Sequence, residues 1–355
     1  MLDVDQSQLR EGALSESWYV DLADYIIDLQ WSPDASRLAA VSVEGAVFLI
    51  EDLGDSAKFA MIGSHDAGAN SLSWRRDSAE FATSGHDGLV KIWEGNSGKQ
   101  LGTLEAGHSW VTKTLYSPRR NVLAAAAGRH LIVWNEGRDV VYESPDHAST
   151  IADIGWNPKG PGLAAVANRG MTLHLSGAAE QPRKFLWNGS SLVVSWRPNA
   201  KHIVTGEQDA TVHYWHVDSG RGAQIRGYSS KVQHLSWHTS GQWLATGGGS
   251  AIVLWDCGSD GPVGRQPTQL EARSSKLTTI AFQPRGHFLA SSDEDGFVFL
   301  WHPSDHCKAI GGVLLSSAAS HLSWCGDDRL AIGQEDGKVV VFGVFSKSNS
   351  EGRAS

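Results

Sequence analysis

Cysteine is scarce in this sequence: its 355 residues contain three, Cys257, Cys307 and Cys325. Three thiols do not make a disulfide framework, so we expect a reducing compartment and predict a cytoplasmic protein. The N-terminus lacks a basic segment followed by an apolar one, and no stretch approaches the ~18 uninterrupted apolar residues that span a bilayer. We therefore expect neither a signal peptide nor a membrane-spanning segment.

Positive charge is also in short supply, with 30 Lys and Arg against 39 Asp and Glu and a formal net charge of −9. Because nucleic-acid binding draws its affinity from basic side chains on phosphates, nucleic acid is not an expected partner. The sequence has no GxxxxGK(S/T), HExxH or GxSxG motif, which are signatures of phosphate-binding, zinc-protease and hydrolase sites. We expect a protein that is not an enzyme, that binds no cofactor and whose partners are proteins or peptides. The oligomeric state stays open.

Tryptophan, by contrast, is abundant and periodic, with 15 copies. Eight apolar-alternating runs end in an aromatic residue and a turn, at spacings of 40 to 45 residues. These first anchors are Trp31, Trp74, Tyr116, Trp156, Trp196, Trp237, Phe282 and Trp324. A second anchor follows 18 or 19 residues later, at Ile50, Trp93, Trp134, Leu175, Trp215, Trp255, Trp301 and Phe342. This constancy predicts the same three strands, named a, b and c, in each of eight units.

Each unit continues into a weaker fourth strand d, and four short strands at this period are typical of a propeller blade. The units resemble WD repeats over residues 16–345. Five of the eight units keep the tryptophan that ends strand c, Trp255-Asp256 is an intact Trp-Asp pair and Gly107-His108 an intact Gly-His pair. The resemblance implies an all-β, closed propeller of four-stranded antiparallel blades that acts as a scaffold for other proteins.

The eight anchor pairs predict eight blades, with seven as the alternative. We expect residues 1–15 to be a flexible N-terminus, residues 16–345 to form one propeller domain and residues 346–355 to be a disordered tail. The segment SWYVDL, residues 17–22, lies in the register of a strand d that precedes unit one. We predict that it completes the last blade from the other end of the chain and so removes an open sheet edge.

In the WD family a buried hydrogen-bonded relay links a histidine, a hydroxyl, an aspartate and a tryptophan of one unit. Unit two carries the whole set, namely His65, Thr83 or Ser84, Asp87 and Trp93. Of the two hydroxyls we take Ser84 as the relay member. The resemblance assigns this set a structural role, because it satisfies buried polar groups. The slot of the turn aspartate departs from the pattern in units one, three, four and six, which have Glu44, Gly128, Arg169 and Gly249 there.

The resemblance also implies that two positions in each unit face the top rim of the central channel, where partners of the family commonly bind. Trp110, in GHSWVT, is the aromatic candidate at this rim. Exposed aromatics and mixed charges are what protein interfaces use. The predicted partner-binding residues are Trp110, Tyr25, His86, Lys231, Lys276, Glu294 and Glu335.

Two alternatives to a scaffold stay open at this stage. The lower loops of the last units carry side chains that zinc accepts as ligands, namely His302, His306, Cys307 and Cys325. No closely spaced cysteine pair accompanies them, and such pairs are what make a zinc prediction strong. The other alternative is a ligand-binding or hydrolytic propeller that uses the channel mouth. On the lower face, Arg119 and Arg120 belong to a basic sector that could dock an acidic partner.

Overall fold

The computed structural model describes residues 12–107, 109–175, 181–258, 261–271, 274–304, 308–326 and 328–345. These residues form 30 β-strands. Within the described ranges, no helix has the length and hydropathy needed to cross a membrane.

The strands follow the repeat units along the chain. Strand β1 (Leu14–Asp21) precedes unit one. Unit one consists of β2 (Ile26–Trp31), β3 (Arg37–Ser42), β4 (Ala46–Asp52) and β5 (Ala57–Ser64). Unit two consists of β6 (Ala69–Trp74), β7 (Glu80–Gly85), β8 (Leu89–Glu94) and β9 (Gln100–Glu105). Unit three consists of β10 (Val111–Tyr116), β11 (Leu123–Ala127), β12 (His130–Trp134) and β13 (Val140–Glu143).

Units four and five together have six strands, and the last three units are regular again. The shared region has β14 (Asp153–Trp156), β15 (Leu163–His174), β16 (Arg183–Trp196), β17 (His202–Glu207), β18 (Val212–His216) and, as its last strand, β19 (Gly222–Ile225). Unit six has β20 (His234–Trp237), β21 (Trp243–Gly247), β22 (Ile252–Asp256) and β23 (Thr268–Leu270). Unit seven has β24 (Leu277–Phe282), β25 (Leu289–Asp293), β26 (Phe297–Trp301) and β27 (Ala309–Leu314). Unit eight has β28 (Ala319–Cys325), β29 (Arg329–Gln334) and β30 (Lys338–Val344).

The described strands form seven sheets, six of them four-stranded and antiparallel. The seventh is a six-stranded sheet of β14 to β19, which holds units four and five together. The all-β propeller class is therefore confirmed, but the prediction of eight blades is wrong. The alternative of seven is the number that the sheets support.

Units four and five share a sheet because β15 and β16 each continue through a point where separate strands were expected. β15 spans the strands b and c of unit four, and the chain turns inside it at Arg169 (φ 71°) and Gly170 (φ 109°). β16 spans strand d of unit four and strand a of unit five. Asn168 pairs with Ser190 across this junction, so the backbone ladder passes from one unit to the next.

The first strands of the units surround the central channel as a closed ring. Contacts run in order through β2, β6, β10, β14, β16, β20, β24 and β28 and back to β2. All eight sequence units therefore contribute an inner strand, although they are distributed over seven sheets.

The anchor tryptophans tie neighbouring units together as well as filling the core. The indole Nε1 of Trp74 donates to the carbonyl of Gln30 in the preceding unit (2.9 Å), and Trp156 donates in the same way to Leu115 (2.9 Å). The same contact is made by Trp196 and Trp324. A large ring is thus buried between sheets while its one polar atom is satisfied.

The N-terminal strand closes the last sheet, as the sequence predicted. β1 pairs antiparallel with β30, from Leu14 opposite Val344 to Asp21 opposite Lys338. Strand β1 begins at Leu14, two residues before the domain start predicted at residue 16, and Leu14 and Ser15 are paired in the ladder. Residues 1–11 and the predicted tail at 346–355 lie outside the described residues.

Candidate protein-interaction site

The rim of the channel is held by a backbone hydrogen bond that recurs from unit to unit. In five units the N–H before the turn between strands b and c donates to the carbonyl of the loop that precedes strand a. The distances are 2.9 to 3.0 Å for Val43 to Tyr25, His86 to Gly68, Gln208 to Ser190, Glu294 to Lys276 and Glu335 to Ala318. The two sets of positions predicted for the rim are therefore neighbours at one end of the propeller.

Trp110 is exposed on this rim and yet held in place. Its side chain is 54% exposed, and its ring lies 5.1 Å from the ring of His86 at an interplanar angle of 50°. His86 is itself fixed, with Nδ1 2.8 Å from the carbonyl oxygen of Ala67 and Nε2 2.9 Å from Oδ1 of Asn70. Asn70 donates from Nδ2 to the carbonyl of Val111 (2.8 Å), one residue beyond the tryptophan. An aromatic side chain that is both exposed and ordered loses little conformational entropy on binding a partner.

The other predicted rim residues form pairs with each other rather than one continuous patch with Trp110. The phenol of Tyr25 has a raised pKa because it is partly buried and lies beside the carboxylate of Glu335, to which it donates a hydrogen bond. Lys276 Nζ lies 2.7 Å from Glu294 Oε1, and both side chains are exposed. Lys231 is exposed, and the described residues show no ion pair to it.

The relay of unit two is buried, and its hydroxyl is Thr83. His65 Nδ1 donates to Asp87 (3.0 Å to each carboxylate oxygen), and its Nε2 lies 2.8 Å from Thr83 Oγ1. Trp93 Nε1 also donates to Thr83 Oγ1, at 2.8 Å. The choice of Ser84 was wrong, because adjacent residues of a strand face opposite sides and Ser84 Oγ pairs instead with Ser71 Oγ at 2.9 Å.

The relay has the order of groups found in a hydrolase triad, but no access to a substrate. A hydroxyl, an imidazole and a carboxylate are aligned as in nucleophilic catalysis. His65 is 2% exposed and Thr83 is fully buried, and the Thr83 oxygen already accepts the bond from the Trp93 indole. The geometry stabilises the unit and leaves no nucleophile for chemistry.

Two other units build the same kind of relay from residues that the sequence analysis left out. In unit five the buried carboxylate of Glu207 accepts hydrogen bonds from Trp187 Nε1 (3.0 Å), Ser191 Oγ (2.7 Å) and Thr205 Oγ1 (2.5 Å). In unit six the hydroxyl of Tyr228 bonds Thr246 Oγ1 (2.7 Å) and accepts from Trp255 Nε1 (3.1 Å). The sequence did contain a signal for these two relays. Trp187 and Tyr228 occupy, in units five and six, the position that His65 has in unit two.

The inner strands that line the channel carry two pairs of polar side chains that were not predicted from the sequence. Lys113 Nζ lies 2.8 Å from Asp153 Oδ1, and His321 Nε2 lies 3.4 Å from Asp28 Oδ1. The pKa of Lys113 is raised, chiefly by Asp153 and to a lesser degree by Asp28. All four residues stand three positions before a first anchor, so the repeat itself was the signal that could have found them.

The carboxylates of this wall also join the inner strands. Asp28 Oδ2 accepts the backbone N–H of Leu72 (2.8 Å), and Asp153 Oδ2 accepts that of Val194 (3.0 Å). Each bond runs from one unit to the next around the channel. These charges are therefore engaged in holding the ring together.

Two of the four lower-face candidates, His302 and Cys325, lie within the described residues, and each has a contact within the fold. Cys325 is buried, its Sγ accepts a bond from Arg329, and burial raises its pKa to about 12. His302 Nδ1 bonds Ser304 Oγ at 2.8 Å. His306 and Cys307 lie outside the described residues, and within those residues no three His, Cys, Asp or Glu side chains are grouped as metal ligands. The metal-handling alternative has no geometric support in the part of the chain that the structure describes.

The basic sector of the lower face is largely occupied by contacts within the fold. Arg119 Nε donates to the carbonyl of Pro158 (2.9 Å), and Arg120 donates to that of Pro161 (3.4 Å). Each bond connects the lower turn of unit three with that of unit four. These arginines therefore have a bridging contact that would have to be kept or replaced if an acidic partner docked there.

Comparison with known proteins identifies the repeats. The family model described as "WD domain, G-beta repeat" matches residues 58–94, 221–256 and 264–302. Among solved structures, the crystal structure of the computationally designed Ika8 protein superposes on this chain with a TM-score of 0.78 at 18% identity. The superposition covers 92% of this chain and 99% of the Ika8 chain. At that identity the likeness shows the fold alone.

Three curated relatives are similar over most of the chain. The B-type cell cycle switch protein ccs52B of Medicago truncatula is 22% identical and covers 82% of this chain. "Cell division cycle 20.5, cofactor of APC complex" of Arabidopsis thaliana is 22% identical over 81%, and "WD repeat-containing protein slp1" of Schizosaccharomyces pombe is 23% identical over 80%. The chain spans 59%, 66% and 60% of the lengths of these relatives. The chain therefore carries WD repeats within a propeller fold, and none of these similarities assigns it to one member of a family.

Proposed function

We propose that this chain is a non-catalytic adaptor that binds a partner protein or peptide on the top rim of its propeller, with Trp110 as the central contact. The observation that carries the proposal is the exposed Trp110 side chain, whose ring packs at a tilt against His86, and His86 is itself fixed by hydrogen bonds. A rigid frame that presents side chains on loops is suited to recognition. Two relatives are named in ways that support such a role, since one is called a cofactor of the APC complex and one a cell cycle switch protein.

The polar rim pairs would surround this aromatic contact. Interfaces concentrate binding energy in a few buried aromatics and arginines, whereas exposed charges around them add specificity. Lys276 with Glu294 and Tyr25 with Glu335 are placed for that second task. We place the adaptor in the cytoplasm, because Cys257 and Cys325 are unpaired thiols.

The test is a Trp110→Ala variant compared with a Lys99→Ala control in affinity purification from the source cells. Lys99 is exposed on the loop before β9, away from the rim loops. If the rim binds the partner, the wild-type and Lys99→Ala proteins retain a stoichiometric protein partner, and Trp110→Ala retains it at least about tenfold less, which corresponds to about 1.4 kcal/mol.

The melting temperature of each variant separates binding from folding. Because Trp110 is more than half exposed, its replacement by alanine should leave the melting temperature within about 2 °C of the wild type. A steep drop would show that the ring is part of the core. An unchanged melting temperature with unchanged partner recovery would exclude Trp110 as the contact, and loss of the partner from Arg119→Ala with Arg120→Ala would move the site to the lower face.

A further inference from the structure

A groove opens on the side of the propeller between units three and four. Its walls are the loop 145–148, the turn within β15 and the first part of β16, and its volume is about 420 Å³. We call it the side groove. Cavities of roughly 300–1,000 Å³ are the size class that holds ligands and short peptide segments.

The floor of the side groove is a chain of hydrogen bonds between three rings. His147 Nδ1 donates to the carbonyl of Arg129 (3.0 Å), which leaves Nε2 of the neutral ring as an acceptor. His174 Nε2 donates to it across 3.1 Å, and His174 Nδ1 accepts the hydroxyl proton of Tyr142 at 2.8 Å. Each ring nitrogen is satisfied when both imidazoles are neutral.

Burial keeps the two imidazoles uncharged at neutral pH. His174 is 1% exposed, and desolvation lowers its pKa to about 3, with a further contribution from His147. Desolvation also lowers the pKa of His147, and the positive charge of Lys184 adds to the shift. The floor is therefore polar, rigid and neutral, and the charge of the groove is decided at its mouth.

The mouth of the side groove carries an excess of positive charge. Arg169 and Lys184 are exposed there, and neither has an ion-pair partner among the residues that the structure describes. Among the described lining residues the carboxylate is that of Asp146, which is already shared by Arg129 (3.6 Å) and His130 (3.1 Å). In a chain of net charge −9, two exposed cations at one groove that lack an ion pair among the described residues are a site for a negatively charged group.

An apolar surface lies beside these cations. Leu186 is 69% exposed at the edge of the groove, and the lining also includes Pro145, Pro182 and Met171. A free inorganic anion would gain nothing from this surface. A peptide that combines a carboxylate with an aliphatic side chain would bury Leu186 as it pairs with Arg169 or Lys184.

We propose that the side groove binds an acidic peptide segment of a partner protein, in which carboxylates pair with Arg169 and Lys184 and a neighbouring aliphatic side chain packs on Leu186. This site is separate from Trp110, and it is independent of whether the top rim binds a partner.

The test is a selection from a random peptide display library on the full chain, run in parallel on two variants. Arg169→Asn with Lys184→Gln removes the two charges, and asparagine tolerates the positive φ at position 169. Lys99→Gln with Arg285→Asn is the matched control, because it removes two exposed cations at other places on the surface. Melting curves establish that both variants are folded.

The proposal expects peptides that are enriched on the wild type and on the control and depleted about tenfold on the groove variant. These peptides should carry Asp or Glu next to Leu, Ile, Val or Met. In fluorescence polarisation, a selected peptide should lose about tenfold in affinity when its acids become amides, and when Leu186 is replaced by serine. Its affinity should also fall as salt is added.

Three results would overturn the proposal. The first is that wild type and groove variant select the same peptides. The second is that the peptides lost from the groove variant have no acidic residues. The third is that Trp110→Ala abolishes binding of the selected peptide while the groove variant keeps it, which would assign the peptide to the top rim and leave the rim proposal standing.

Discussion

In unit two Asp87 closes the turn between strands b and c and bonds His65, whereas in unit four the same slot holds Arg169 and the turn lies inside the continuous strand β15. The histidine of unit two bonds within its own unit, to Thr83. The histidine of unit four, His147, bonds His174 and through it Tyr142 of unit three.

In unit two the carboxylate gives the turn an internal acceptor, and the relay closes inside one four-stranded sheet. Arg169 has no acceptor, and its side chain is exposed. The polar atoms of His147 and His174 are satisfied by unit three, whereas the sheet of unit four is continuous with that of unit five. Units three and six have glycine in the same slot and keep four-stranded sheets, so the missing aspartate alone does not cause the fusion.

We expect the largest loss of stability when the ring of blades that contains units two and four is opened. Deletion of residues 1–22 removes β1, and with it the buried side chains of Trp18, Val20 and Leu22. Each of these contributes about 1.5–3 kcal/mol by burial, so we expect an insoluble or strongly destabilised product. Solubility and thermal unfolding measure it. A truncated chain that melts with the full chain would show that closure by β1 contributes nothing, and deletion of residues 347–355 is the control, expected to have no effect.

Substitution of the relay hydroxyl, Thr83, tests the hydrogen-bonded relay of unit two. Thr83→Val keeps the shape of the side chain and removes the donor to His65 and the acceptor for Trp93, so two buried polar atoms lose a partner. We expect a loss of about 2–4 kcal/mol in the free energy of unfolding in urea. Ser84→Ala, which breaks only the bond with Ser71, should cost about 1 kcal/mol. Equal costs would contradict the assignment of the relay to Thr83.

The free energy of unfolding at low pH tests the buried histidines of unit four. In the folded chain the pKa of His174 is about 3, whereas about 6.5 is expected in the unfolded chain. Between these two pH values His174 is protonated in the unfolded chain and neutral in the folded chain. The free energy of unfolding therefore falls as the pH falls below about 6.5, by about 2 kcal/mol from this group at pH 5. His174→Leu should reduce the difference in unfolding free energy between pH 7 and pH 5 by that amount. An unchanged difference would show that His174 takes up its proton in the folded state.

The smallest expected effect concerns the turn of unit five. Ala210 adopts a positive φ of 63° there, while unit two has Gly88 with φ 77° in its own turn between strands b and c. A residue with a Cβ pays about 1–2 kcal/mol for this conformation, and glycine does not. Ala210→Gly should therefore raise the free energy of unfolding by up to about 1 kcal/mol, and Gly88→Ala should lower it. A destabilised Ala210→Gly protein would mean that its Cβ packing outweighs the backbone strain.

Much of this architecture could be predicted from the sequence because the information is local or periodic. Anchors at a constant distance of 18 or 19 residues specify three strands with turns of fixed length, whatever surrounds them. The closing strand could be predicted as well, since SWYVDL lies in the register of a strand d directly before unit one, and it pairs with β30 in the structure.

Other features could be decided only by the tertiary structure, because they depend on which side chains come into contact in the folded chain. Thr83 and Ser84 are adjacent and similar, and the facing direction of strand β7 separates them. Tyr25 and Glu335 become partners because the ring closes between the ends of the chain, and Lys113 meets Asp153 because neighbouring inner strands are in register. The fusion of units four and five occurs through β15 and β16, and His147 and His174 bond Tyr142 and Arg129 of unit three. Both features cross unit boundaries, and a repeat pattern that treats each unit separately contains no information about them.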